Sequence, residues 1–273
     1  MALKPVTLEE MNALIAWIRN TVKAAHSKGV VVALSGGADS ALVAALCTHA
    51  LGPNSVLAIN IPIESIDTAQ SDAHKIAQWL EVRLFDRLLD VTFALFMKEI
   101  GLDNDPSYET LDEKKRTVLR GNVKARLRTT LARAWAEANG FLFVNTCNWS
   151  ETVVGYETKE GGDAGGDFAP LAQFVKADVW KMLRMLDAPQ WIINKIPSAD
   201  LEPNQSDEND IGITYEVLDT FASIVATDGP DAIIGLDTFQ RELRVRFLEL
   251  TENSAHKRLP RPVFQRAGFN FKN

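Results

Sequence analysis

The chain predicts an α/β fold built on a doubly wound parallel sheet flanked by helices, and three observations predict it. Short, unbroken apolar runs alternate with stretches of helical periodicity, the pattern of strands buried on both faces and joined by covering helices. A turn of small residues leads from the first apolar run straight into a helix (VVVALSGGADSALVAAL, residues 30–46). No Ser/Gly/Pro-rich linker, low-complexity run or internal repeat divides the 273 residues, so a single domain spanning 1–273 is expected.

The elements follow in order. Thr7 with Glu10 forms a capping-box pattern ahead of a helix whose apolar stripe is Leu8, Met11, Leu14, Ile15 and Ile18. The β-branched run at 30–34 is the first strand, and residues 41–46 begin the helix after it. SVLAINI, 55–61, is a second strand ending at Pro62; a helix over 67–80, a strand over 82–89 and a helix over 90–100 come next. Asn122 is expected to cap a helix running to Ala138, with Val123, Leu127, Leu131, Ala134 and Ala138 on its buried side. FLFVN, 141–145, is the fourth strand. Ligands of such sheets lie outside the carboxyl ends of the strands, which brings together the loops at 35–40, 62–67 and 145–151.

Bulk properties narrow the function. A net charge of −7 and a pI near 5.2 argue against a nucleic-acid partner, whose phosphates reward basic surfaces. Cys47 and Cys147 are the only cysteines and form no metal-binding pair, which suits a reduced, cytoplasmic protein. The N-terminal stretch lacks the pattern of a secretory signal, and no segment approaches the ~20 apolar residues of a membrane span.

Chemistry collects in four stretches. Ser35, Gly36, Gly37, Ala38, Asp39 and Ser40 make a sharp strand-to-helix turn. Unpaired N–H groups and a partial positive charge at the helix start suit it to an anion; the alternative is an ordinary glycine turn with Asp39 or Ser40 as a helix cap. NTCNWSE, 145–151, places Glu151 beyond the fourth strand, so Asp39 and Glu151 can share a cation such as Mg²⁺, which takes one or two carboxylates and fills its shell with phosphate oxygens and water. GYETKEGGDAGGDFAPL follows, its glycines suited to close approach to a ligand or to movement, with Lys159, Asp163 and Asp167 among them. SADLEPNQSDENDI, 198–211, is polar and without periodicity, and is expected to be a structureless lid over the site.

The SGGADS loop resembles the SGGxDS loop of the N-type ATP pyrophosphatases and lacks the GKS ending of a Walker A loop. GNVKAR (121–126), the NTCNWSE to DFAPL region, PSADLEPNQSDE (197–208) and AHKR (255–258) then resemble, in order, the motifs of the NAD synthetase family. The resemblance implies an adenine nucleotide alpha hydrolase-like, Rossmann-like fold and a C–N ligase. Its substrates would be ATP, ammonia and deamido-NAD, and its products NAD, AMP and pyrophosphate by way of a nicotinyl adenylate. By similarity, Ser35 to Ser40, Thr146, Lys176 and Ser198 contact ATP; Asp39 and Glu151 ligate Mg²⁺; and Arg126, Lys159, Asp167, His256 and Lys257 hold deamido-NAD. Asp39 and Lys176 would act in catalysis, and Asp163 is a candidate acceptor for the ammonium proton, although the lengthened GGDAGGD stretch leaves its alignment against Asp167 open. Glu157 and Glu160 stand where aromatic residues are common in the family. A homodimer is implied, and no nitrilase-type domain precedes residue 30, so free ammonia or a separate glutaminase subunit would supply nitrogen. The alternatives are a tRNA-thiolating enzyme with the same ATP loop and a non-catalytic nucleotide-binding regulatory module.

Overall fold

The structure, a computed structural model, describes residues 3–65, 67–198, 205–234 and 241–259. Helix α1 (Leu8–Ala24) opens with the expected capping box: Thr7 accepts from Glu10 N, and the Glu10 carboxylate accepts from Thr7 N. It buries Met11, Leu14, Ile18 and Val22, whereas Leu8 at its first turn stays in solvent. Strand β1 (Val30–Ala33) leads to α2 (Ala38–Leu51), β2 (Val56–Asn60), α3 (Asp67–Leu80), β3 (Arg83–Asp86) and α4 (Asp90–Glu99). The long α5 (Glu113–Asn139) precedes β4 (Leu142–Phe143).

All four strands are parallel, in the order β3-β2-β1-β4. Alternate residues serve opposite faces. Val30, Val32, Val56 and Ala58 join the core beneath α1 and α2, while Val31, Leu57, Ile59 and Phe143 pack with Ala132 and Ala136 of α5. The strands are therefore covered twice, which is why they lack polar alternation. The chain runs outward from β1 to β2 and β3, then returns to place β4 on the other side of β1. The carboxyl ends of β1 and β4 flank the point where the winding reverses.

Helix α5 departs from the sequence expectation. It starts nine residues before Asn122, with Asp112 as its N-cap accepting from Lys115 N. Asn122 lies inside the helix, where its side chain accepts from the Thr158 hydroxyl. The buried side is Gly121, Lys124, Ala125, Thr129, Ala132 and Ala136 rather than the Val123–Leu127–Leu131 row. The apolar residues misled because this helix carries basic side chains on its inner face: Lys124 is buried, pairs with Glu64 and lies over the Phe93 ring.

Beyond β4, α6 (Trp149–Val154), α7 (Lys176–Met185), α8 (Asp207–Ile211), α9 (Tyr215–Asp228), α10 (Arg241–Asn253) and α11 (Ala255–Arg258) form a helical layer. Val153, Ile211, Tyr215, Leu218, Phe221 and Phe247 make its core. The expected lid lies partly outside the described residues, at 199–204. Its distal end is not structureless, since Asp207–Ile211 is helical with Ser206 capping Asn209 N. Among the described residues no helix is long and apolar enough to cross a membrane.

Gly29, just before β1, tests the packing. A β-carbon there would meet Ser55 O at 2.3 Å. Gly29→Ala is expected to cost roughly 1–3 kcal/mol by overpacking. The midpoint of denaturant unfolding reads this out, and an unchanged midpoint contradicts the close approach of the chain at the amino ends of β1 and β2.

Candidate active site

Gly36 adopts φ +81°, which favours glycine, and this turns the chain from β1 into α2. Gly37, rather than Asp39 or Ser40, is the residue flanking the helix start. The first intrahelical bond runs from Ala41 N to Gly37 O, so the N–H groups of Ala38, Asp39 and Ser40 precede it and point out of the helix end. The two hydroxyls brace the turn. Ser35 Oγ and Ser40 Oγ lie 3.1 Å apart, Gly37 N donates to Ser35 Oγ and Ser40 Oγ donates to Gly37 O.

Asp39 leaves this turn towards the loop after β4. Its Oδ1 accepts from Asn148 Nδ2 at 2.8 Å, joining the two loops that flank the winding reversal. Its Oδ2 accepts from Lys176 Nζ at 2.5 Å, and the same ammonium donates to Glu151 Oε1 at 3.2 Å. Glu151 does two jobs, because its Oε2 also accepts from Asn148 N in a capping box at the start of α6. Capping α6 and ligating a cation are therefore compatible roles for this residue.

Lys176 is 1% exposed. Burial alone would lower its pKa, but the carboxylates of Asp39, Glu151 and Asp207 outweigh burial and hold it above the ordinary lysine value. Tyr215 closes the floor. Its hydroxyl lies 3.3 Å from Glu151 Oε1 and donates to Asp207 Oδ2 at 2.9 Å. Burial, reinforced by those two carboxylates, raises the Tyr215 pKa. Burial also raises Asp207, whose Oδ1 is buried with no hydrogen-bond partner among the described residues. Asp207 N in turn donates to Pro197 O, which places Ser198 beside this cluster. Asn148, Asp207 and Tyr215 were not singled out from the sequence. The Asn three residues before Glu151 was a capping pattern that could have revealed the first, but nothing local to the sequence marks the other two.

The remaining expected residues divide into groups. Thr146 is buried in the loop after β4. Arg126 donates to Lys159 O, and Lys159 donates to His256 O, so these three form a chain across α5, the glycine loop and α11. Lys257 donates to Gly155 O and Glu157 O at the end of α6, and burial lowers its pKa. Burial also raises the Glu157 carboxyl from its ordinary value. Asp167 stands apart from this group. It accepts from Phe143 N on β4 and pairs with Arg133 at 3.0 Å. Asp163 lies in the turn Gly162–Ala164, and its side chain falls outside the described residues.

The glycines of this loop pack against the chain itself. A β-carbon on Gly161 would meet Arg126 Cγ at 2.6 Å, and one on Gly166 would meet Asn145 N at 2.4 Å. They let the loop lie on α5 and on the end of β4.

The chain matches the family model described as NAD synthase over residues 10–261. It is 36% identical over 261 residues to the NH(3)-dependent NAD(+) synthetase of Methanosarcina mazei, covering 92% of this chain and 96% of that one. It is 37% identical over 213 residues to the enzyme of the same description from Mesoplasma florum, covering 78% and 83%. Among solved structures, NMN synthetase from Francisella tularensis superimposes with a TM-score of 0.77 at 26% identity, over 96% of this chain and 98% of that one.

Removing the Lys176 ammonium leaves two carboxylates that had shared it. Lys176→Met is expected to lose roughly 3–5 kcal/mol at pH 7, as when one partner is removed from a buried ionic cluster. In the variant the folded state binds protons more tightly than the unfolded chain, so stability recovers as pH falls through the carboxylate range. Denaturant titrations across that range check the sign; a deficit that does not shrink towards acid contradicts it.

Proposed function

The chain belongs to the NAD synthase family, and from that premise we propose how its site makes NAD. It is an ATP-dependent amidating ligase that uses ammonia. The proposed acceptor is deamido-NAD, whose nicotinate carboxylate attacks the α-phosphorus of ATP and displaces pyrophosphate. The convergence of Asp39, Glu151 and Lys176 at the carboxyl ends of β1 and β4 carries this reading.

The first step brings anion against anion. Two unit charges ~4 Å apart repel by roughly 4 kcal/mol at an effective dielectric of 20. Lys176 and the N–H groups of Ala38, Asp39 and Ser40 offset that repulsion and stabilise the departing pyrophosphate. Asp39 and Glu151 fit a divalent cation, since hard oxygens from two elements already meet at one positive group. They would hold Mg²⁺, which when bound neutralises phosphate charge. Thr146 and Ser198 complete the ATP contacts.

The product of this step is a nicotinyl adenylate. Ammonia adds to its activated carbonyl, AMP leaves as the amide forms, and one proton is released, for which Asp163 is the proposed acceptor. Arg126, Lys159, His256 and Lys257, gathered around the glycine loop and the end of α6, hold the dinucleotide, with Asp167 at the β4 edge. A homodimer is part of this reading; Leu88, Val91, Leu95 and Phe96 leave an apolar stripe in solvent, which supports a second copy as its cover.

Release of AMP and pyrophosphate is expected to depend on the acceptor, and NAD formation to need ammonium as well. Deamido-NAD and nicotinate mononucleotide are both offered, because the Francisella relative is an NMN synthetase. Turnover with the mononucleotide alone would move the substrate assignment, and acceptor-independent ATP cleavage would overturn it. Asp39→Ala is expected to lower turnover per folded molecule at least ~10²-fold, comparable to losing one preorganised electrostatic contact. Normal turnover in that variant would refute its metal-binding role.

A further inference from the structure

The phosphate-facing turn has a second lysine. Lys195, three residues before Ser198, donates from Nζ to Gly36 O at 3.0 Å and to Asp72 Oδ2 at 2.8 Å. Asp72, on α3, also accepts from Lys75 Nζ at 3.0 Å. One carboxylate is thus shared by two ammonium groups, and one positive charge is left over beside the SGGADS turn. The side chain of Lys195 is 30% exposed, so its charge is neither locked in the core nor fully screened. Gly36 takes part directly: the residue whose positive φ turns the chain also offers its carbonyl to this ammonium. A neutral carbonyl is a weaker partner for an ammonium than an anionic phosphate oxygen, which adds the attraction of a full opposite charge. The lysine stem is flexible enough to exchange one for the other.

We propose that Lys195 is a further nucleotide-binding residue, held on Gly36 and Asp72 when the site is free and turning to the β- and γ-phosphates of ATP, and then to departing pyrophosphate, when it is filled. The inference rests on the ATP reading of the site given above and adds a residue at the far end of the triphosphate from Lys176's two carboxylates.

Calorimetric binding of ATP, inorganic pyrophosphate and AMP to the full chain tests this. Lys195→Met is expected to weaken ATP and pyrophosphate about ten- to hundredfold, the worth of a hydrogen bond to a charged group, and to change AMP less than about twofold. Lys195→Arg, which keeps the charge, is expected to restore most of the pyrophosphate affinity. Equal loss for ATP and AMP would mean that Lys195 only supports the Gly36 turn, and would overturn the inference. So would an unchanged pyrophosphate affinity in Lys195→Met. Asp72→Asn gives an independent reading, because it increases the surplus positive charge: tighter pyrophosphate binding supports the proposal, and unchanged or weaker binding counts against it. If the unaltered chain binds neither ATP nor pyrophosphate, the ATP reading itself fails; if it binds both and only the Lys195 variants are indifferent, that reading stands and this one falls.

Discussion

A single buried ammonium between two carboxylates ties this structure together. Lys176 is the first residue of α7, where the helix dipole disfavours a cation, and it is almost wholly removed from water. Such a charge is tolerated only when partners are fixed around it. Those partners come from far apart in sequence: Asp39 is 137 residues away and Glu151 is 25 away. The backbone beneath is held equally firmly. Lys176 N donates to Ser150 Oγ, Ala177 N donates to Asp219 Oδ2, and Ser150 Oγ donates to Asp219 Oδ1, so α6 and α9 together cap the start of α7. Burial raises the Asp219 carboxyl, a cost accepted where it secures the lysine's position. The order β3-β2-β1-β4 makes the arrangement possible, because it sets the loop after β1 next to the loop after β4.

The parts legible in the sequence were those whose signals are local. Val30 to Val32 and the run at Val56 to Ile59 read as strands because burial on both faces leaves no polar residue to alternate. Thr7 and Glu10 read as a cap because the reciprocal bond spans only three residues. The ordered motifs resemble those of the family that the chain matches, and the residues from Ser35 to Ser40 follow the carboxyl end of β1 as expected. What failed was set by tertiary context. The inner face of α5 could not be read from its apolar residues, because Glu64 and Phe93, more than twenty residues upstream, make Lys124 an acceptable buried residue. Tyr215 and Asp207 matter through contacts with Glu151 and Lys176 that nothing in their own neighbourhood announces.

The glycine loop and the C-terminal basic residues show how a structural and a functional role can share the same atoms. Gly161 and Gly166 press the loop onto Arg126 and Asn145, which fixes where Lys159 emerges. Lys159 then reaches the backbone of α11, while Lys257 and Arg258 donate to carbonyls at the end of α6, where cations suit the helix dipole. Helix α6 carries Glu151. The basic C-terminal motif is therefore coupled mechanically to the carboxylate site, whatever it also contacts.

The charges around the SGGADS turn are uneven in a way that suits the proposed ligand. On the Asp39 side, one ammonium faces two carboxylates, leaving a negative surplus that welcomes a cation. On the Gly36 side, two ammonium groups share one carboxylate, leaving a positive surplus that welcomes an anion. The outward N–H groups of the α2 start lie between them. A simple anion would satisfy only one half, and a free divalent ion only the other. The proposed polyphosphate with its divalent cation would satisfy both, in a chain whose overall charge of −7 would otherwise repel it. Local charge placement, rather than net charge, lets an acidic protein take a polyanionic substrate.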